Sequence, residues 1–173
     1  MRAVFYTSRW EGIVKHLKAK ELINIDGKDI ETLKFKVREL ASSGVKKLFI
    51  FGNCEPLETS AKGDVFVITD HINATGDNPL IGPNDDSVGP RFPDMTFAYS
   101  EKLTSELRNF LKSSGVSFSE TVLLGADYPP SSPGEPAMLK SLNCTVRDRT
   151  VVYLDILARH AGIEVCAAVR TVG

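Results

Sequence analysis

The sequence predicts an α/β domain with helices on both sides of a largely parallel sheet, and two observations predict it. Unbroken apolar runs such as Leu48-Phe49-Ile50-Phe51 and Val65-Phe66-Val67-Ile68 suit strands covered on both faces. Between such runs stand segments with apolar residues at helical spacing, bounded by capping residues and glycines. Strands alternating with helices are the pattern of a sheet fed by helical crossovers.

Taken in order, Ala3 to Ser8 reads as a strand, Glu11-Gly12 as a turn, and Ile13 to Leu17 as a returning strand. Asp29 suits an N-cap, with Ile30, Leu33, Val37 and Leu40 on one helical face and Gly44 as the stop. Val45 to Phe51 and Asp64 to Thr69 are strands. A long proline- and glycine-rich stretch runs from Asp70 to Phe97, a length that usually has a job in a compact domain. After Ser100 the stripe Leu103, Leu107, Phe110 and Leu111 marks a helix closed by Gly115. Thr121 to Leu124 is a further strand. Ser132-Pro133-Gly134-Glu135 matches a capping box, so a helix begins there. Tyr153, Ile156, Leu157 and His160 share one face of a helix ended by Gly162, and Ile163 to Val169 is the last strand. No internal repeat, linker or domain boundary interrupts this pattern, which makes 1–173 a single domain.

Bulk composition excludes several classes. A net charge of -1 and the lack of a basic or aromatic-basic stripe argue against nucleic acid as a partner. Nothing approaches the ~20 apolar residues of a membrane span, and the start is too short and polar for a signal sequence, so a cytoplasmic location is expected. Cys54, Cys144 and Cys166 are odd in number and widely spaced, and with His16, His71 and His160 they make no metal-ligand spacing. Neither metal nor cofactor is expected.

Unaided, the residues show little catalysis: no nucleophile elbow, phosphate loop or dinucleotide fingerprint occurs. Asp70-His71 could be a carboxylate with its base, but neighbours in an extended chain point to opposite faces, so that pairing cannot form locally. Asp85-Asp86 reads as a solvated turn. Arg147 and Arg149, two residues apart, would share a side in extended chain. They could grip a phosphate or carboxylate, or simply form an ion-pair cluster.

From Gly63 to Tyr99 the residues resemble one family closely. Gly63-Asp64, Asp70-His71-Ile72-Asn73, Asn78-Pro79-Leu80-Ile81-Gly82-Pro83-Asn84-Asp85 and Arg91-Phe92-Pro93-Asp94-Met95-Thr96-Phe97-Ala98-Tyr99 are similar to the matching stretch of trimeric purine nucleoside phosphorylases. Weaker likeness covers Phe35-Lys36-Val37-Arg38 with Gly44-Val45-Lys46, and Ala158-Arg159-His160-Ala161-Gly162-Ile163. The resemblance implies a three-layer α/β/α fold with a central mixed, largely parallel sheet, in a family that is longer at both ends. It also implies a homotrimer. Asp70, His71, Asn73, Arg91, Phe92 and Met95 would fall at the interface, with Phe92 reaching into the neighbour's ribose pocket.

The departures matter as much. The family's phosphate-binding GSGLG loop has no counterpart here. Its GRxHxYEG motif falls on Lys20 to Gly27, putting Glu21 at a phosphate-binding arginine and Ile23 at a histidine near the ribose. Its NAAGG strand end becomes Gly52-Asn53-Cys54-Glu55-Pro56, its purine-holding glutamate aligns near Ser131, and its GMS turn becomes Asp148-Arg149-Thr150. The late asparagine that binds the base would fall at about Gly173. Losing one placed electrostatic contact typically costs ~10²–10³ in rate. The expectation is therefore a phosphorylase-like protein without phosphorolytic activity, acting as a scaffold, subunit or binding module, and no residue is assigned a catalytic role. Residual ligand contacts would be Asn53, Ser131, Arg149 and Thr150, with nucleoside, phosphate or a second protein as the candidate partner. The alternatives are an active phosphorylase or nucleoside hydrolase with a rearranged site, and an anionic small-molecule sensor built on Arg149 and Thr150.

Overall fold

The computed structural model describes residues 1–57 and 65–172. Gly63, Asp64 and Gly173, which figure in the resemblance above, lie outside the described residues. In chain order come β1 (Arg2–Tyr6), a 3₁₀ turn (Ser8–Trp10), α1 (Glu11–Val14), β2 (Glu21–Asn24), α2 (Ile30–Ser42) and β3 (Lys47–Pro56). Then follow β4 (Val65–Asn73), α3 (Glu101–Ser113), β5 (Ser119–Gly125), α4 (Gly134–Ser141), β6 (Cys144–Arg147), α5 (Arg149–His160) and β7 (Glu164–Thr171).

The sheet is mixed and largely parallel. The pairings β1–β2, β1–β3, β3–β7, β4–β5 and β5–β6 are parallel, whereas β3–β6 and β4–β7 are antiparallel. Strand β3 forks: Lys47 to Cys54 pair with Glu164 to Thr171, while Glu55 and Pro56 pair with Arg147 and Val146. Because β7 pairs with β4, β4 with β5 and β5 with β6, these five strands close into a ring. Strands β1 and β2 extend from it beside β3.

Strict alternation along the strands supplies two cores. Ala3, Phe5, Leu48, Ile50, Val165 and Ala167 face α2 and α5, meeting Leu33, Val37 and Leu40 from the first and Val151, Leu154 and Ala158 from the second. Val4, Phe49, Phe51, Cys166 and Ala168 face the other way, onto Trp10, Val14 and the α3 stripe Leu103, Leu107 and Leu111. The helix starts follow their sequence signals. Asp29 accepts the Thr32 amide at 2.7 Å, and α2 stops at Gly44, whose φ of 81° suits a residue without Cβ.

Three readings change. Ile13 to Leu17 is not a strand: Glu11-Gly12 opens α1, and the partners of β1 are β2 and β3. Trp10, Val14 and Leu17, buried together at helical spacing, are the reason. Arg147, Asp148 and Arg149 do not form one extended run, because Arg147 ends β6 and Asp148 caps α5. The capping box before α4 is half formed. Glu135 Oε2 accepts the Ser132 amide at 2.9 Å, but Pro133, not Ser132, holds the cap position.

Candidate functional site

Strand ends and one helix start meet at a polar cleft of about 380 Å³. Asn53, Cys54 and Glu55 reach it from the end of β3, Asp127 from the loop after β5, and Arg147 from the end of β6. Asp148, Arg149 and Thr150 reach it from the start of α5. Of the expected ligand contacts, Asn53, Arg149 and Thr150 therefore share one cleft.

Both guanidinium groups in this cleft are already engaged. The Arg147 guanidinium binds Glu55 and also donates to the carbonyl of Asp127 at 2.9 Å. The Arg149 guanidinium donates to both Asp127 carboxylate oxygens, at 2.9 and 3.1 Å, and stands 5.2 Å above the Tyr153 ring. Asp127 holds the Arg149 pKa above its ordinary value. At the α5 N-terminus, where exposed amides favour an anion, the Asp148 carboxyl accepts the Val151 amide at 2.7 Å. Burial pushes Asp148 up to about 6 despite the lowering pull of the α5 amides and Arg147. Burial likewise raises Cys54, which removes it as a nucleophile. The Asn53 side-chain oxygen is taken by the Thr7 hydroxyl at 3.0 Å.

Ser131 does not join this cleft. It lines a neighbouring, more apolar pocket of about 360 Å³ with Tyr128, Pro130 and Met138, which touches the first through Ala126 and Asp127. Its amide donates to Glu135 at 2.7 Å. Glu21 and Ile23 lie on strand β2, where Glu21 stands 3.6 Å from Lys36 and Ile23 packs on the core.

The expected interface residues gather elsewhere. His71 and Asn73 at the end of β4, with Arg91, Phe92 and Met95 from the segment that follows it and Ile156 of α5, line a largely apolar groove of about 470 Å³, while Asp70 stands outside it, exposed. Arg91 donates to the carbonyls of Leu80 and Gly82, which fixes the turn beneath it. Phe92 is 86% exposed and Ile81 69%. The segment docks on the C-terminal end of α5, where a Cβ on Gly89 would overlap the His160 carbonyl oxygen and His160 Nε2 lies 3.2 Å from Asn84 Oδ1.

One constellation escaped the sequence reading. The carboxylate beside His71 is not Asp70, which only accepts the His71 backbone amide at 2.8 Å. It is Asp155, on α5, with Oδ2 at 3.5 Å from His71 Nδ1. The Tyr99 hydroxyl lies 3.3 Å from the same nitrogen. Asp155 is fully buried, which raises its carboxyl well above the ordinary value, and burial also lowers His71. A lone aspartate among Leu154, Ile156 and Leu157 was the available signal. Among the described residues no cluster could hold a metal ion, and no helix is long and apolar enough to cross a membrane.

Comparison with known proteins places this architecture. The sequence profile of the Phosphorylase superfamily matches residues 30–173. Purine nucleoside phosphorylase 1 of Geobacillus stearothermophilus is 35% identical over 142 residues, covering 81% of this chain and 52% of the relative. The purine nucleoside phosphorylase of Rattus norvegicus is 31% identical over 147 residues, with 81% and 51% covered. The chain thus spans about half the length of these curated relatives. The crystal structure of Schistosoma mansoni purine nucleoside phosphorylase in complex with adenosine superposes with a TM-score of 0.78 at 21% identity, over 98% of this chain and 75% of that one. Its complex with inosine gives 0.76 at 22%, over 97% and 75%. With a family match over most of its length and a sheet of the same architecture, the chain belongs to the phosphorylase superfamily and is similar to its purine nucleoside phosphorylases.

Proposed function

We propose that this chain is a non-catalytic, single-domain purine nucleoside phosphorylase-like protein that works as a homotrimeric scaffold, subunit or binding module. The observation that carries this reading is the occupied polar cleft. Both guanidinium groups are engaged by carboxylates, and the Asp148 carboxyl fills the α5 N-terminus. A phosphate entering there meets Glu55, Asp127 and Asp148 before it meets a free cation, and such a dianion is repelled rather than anchored. Phosphorolysis needs that anchored phosphate.

Assembly is supported by the groove face. Ile81 and Phe92, with the 76%-exposed Phe97, put large apolar side chains in water on one segment. Ile81 and Phe92 line the same groove, and apolar surface grouped in this way marks interaction sites. A second reading, an active phosphorylase, is favoured by the 35% identity to a relative of that name. One experiment separates the two: phosphate-dependent cleavage of inosine and guanosine by the purified chain, with its mass measured by light scattering. Turnover establishes the enzyme and sinks the scaffold; silence together with a trimer mass supports it.

A further inference from the structure

The groove framed by His71, the segment 72–98 and Ile156 of α5 keeps hydrogen-bond donors that nothing in the chain uses. The His71 side chain is 9% exposed, and its Nδ1 lies 3.3 Å from the Tyr99 hydroxyl, while Nε2 has no partner among the described residues. Burial holds the Tyr99 hydroxyl and the nearby Asp155 carboxyl in their protonated forms and the imidazole in its neutral one. Nδ1 therefore accepts, and the ring proton belongs on Nε2, on the edge of the ring left for the groove. Asn78 spends its side-chain oxygen on the Leu80 amide at 2.9 Å and keeps its own amide group free. Arg91 gives Nη1 to the carbonyls of Leu80 and Gly82, which leaves Nε and Nη2. Asn73 is used on both sides, by the Asp77 carbonyl and the Thr75 amide. Among the described residues no carboxylate lines this groove.

We propose that the groove is a binding site for a small organic acid, a molecule with an apolar body and one carboxylate head. The body lies on Leu80, Phe92, Met95 and Ile156, and the head takes the donors of His71, Asn78 and Arg91. Three donors with no acceptor beside them call for a group that only accepts, which is what an ionised carboxylate does. The Arg91 fork matches its two oxygens. One permanent cation balances one negative charge, whereas a phosphate dianion would leave a charge unpaired against an apolar wall. The volume of about 470 Å³ lies within the roughly 300–1,000 Å³ usual for small-molecule sites. The polar cleft is built the opposite way, with Glu55, Asp127 and Asp148 set against its two guanidinium groups. The inference rests on the binding-module part of the reading above, to which it gives a ligand class, and it needs no second copy of the chain.

The test titrates phenylbutyrate into the full chain, with phenylbutanol and phenylbutylamine as its neutral and cationic counterparts. Backbone and side-chain NMR shifts follow binding, and light scattering records the mass of each sample. The expected result is saturable binding of the acid at millimolar concentration or below, with shifts gathered at His71, Asn78 and Arg91. Its affinity should exceed that of the alcohol by about fivefold, the worth of a pair at an exposed arginine, and the amine should bind more weakly still. His71→Phe keeps a ring and loses the donor, so it should weaken the acid by about fivefold or more and leave the alcohol unmoved. Arg91→Gln should erase the preference for the acid. Equal affinity for all three compounds overturns the proposal, as does the absence of saturation, whatever the mass of the particle. Shifts centred on the polar cleft overturn it too. Should either variant fail to fold, the ranking of the three compounds on the parent decides. Each of these failures leaves the non-catalytic reading standing, because that reading falls only to turnover of inosine or guanosine.

Discussion

Arg149 presents one nitrogen, Nη1, to both carboxylate oxygens of Asp127, so the permanent cation at the start of α5 is spent on a side chain from the loop after β5. Both partners are about 40% exposed, and water screens the pair to at most about 1 kcal/mol. The pair therefore decides ligand choice more than stability. The parent's melting temperature is expected to ignore phosphate and sulfate. Asp127→Asn should release Arg149 and create an anion-dependent rise, worth about 1 kcal/mol at a few times the dissociation constant. Arg149→Ala in that background should abolish it. Scanning fluorimetry reads all three, and anion-dependent melting of the parent would contradict the occupied cleft.

Phosphorolysis of inosine and guanosine is expected to be undetectable. Turnover within a few hundred-fold of an ordinary enzyme's ~10 per second would sink the non-catalytic reading. Activity that appears only with a second protein would instead show a composite site.

Phe92→Ala should weaken self-association, because an aromatic side chain this exposed gains most when a partner covers it. Ultracentrifugation at micromolar concentration checks this; a parent that is only monomeric removes the trimer.

Asp148 links stability to pH. Its carboxyl is raised to about 6, so its contribution is fully present below about 3.9 and lost as pH rises through about 6. Asp148→Asn keeps a capping side chain and removes the titration. Above pH 7 the variant should be the more stable by about 1–3 kcal/mol, and near pH 4 the two should match. Melting curves at both pH values test it, and an equal difference at each would refute the linkage.

Gly89→Ala should detach segment 72–98 from α5, since its Cβ would occupy the place of the His160 carbonyl oxygen, a backbone atom that cannot swing aside. The expected cost is about 1–3 kcal/mol, as for other overpacked contacts. An unchanged denaturation midpoint would show that the docking is loose.

Much of the fold was legible because strong local signals agreed with it. Asp29, Gly44, Gly115 and the α3 stripe each mark an element boundary or face that the structure keeps. The closure of five strands into a ring was not legible, since it depends on Glu55 and Pro56 pairing with β6 some ninety positions later. Short β6 and β2, four residues each, carry too little alternation to announce themselves. The site divided along the same line. The sequence could bring Asn53, Arg149 and Thr150 together through family likeness, but not show that Asp127 would engage Arg149. Nor could it pair His71 with Asp155, because contacts across more than eighty positions are set by tertiary packing alone.

The fork in β3 makes that strand hydrogen-bonded to β1, β7 and β6 at once. No local opening can expose its amides without parting neighbours drawn from opposite ends of this sequence, β1 from its first residues and β6 and β7 from its last thirty. Their hydrogen exchange should then report global unfolding, and β2, bonded along one edge only, should exchange long before them. A partly unfolded form of this domain would keep its centre and fray at that one border.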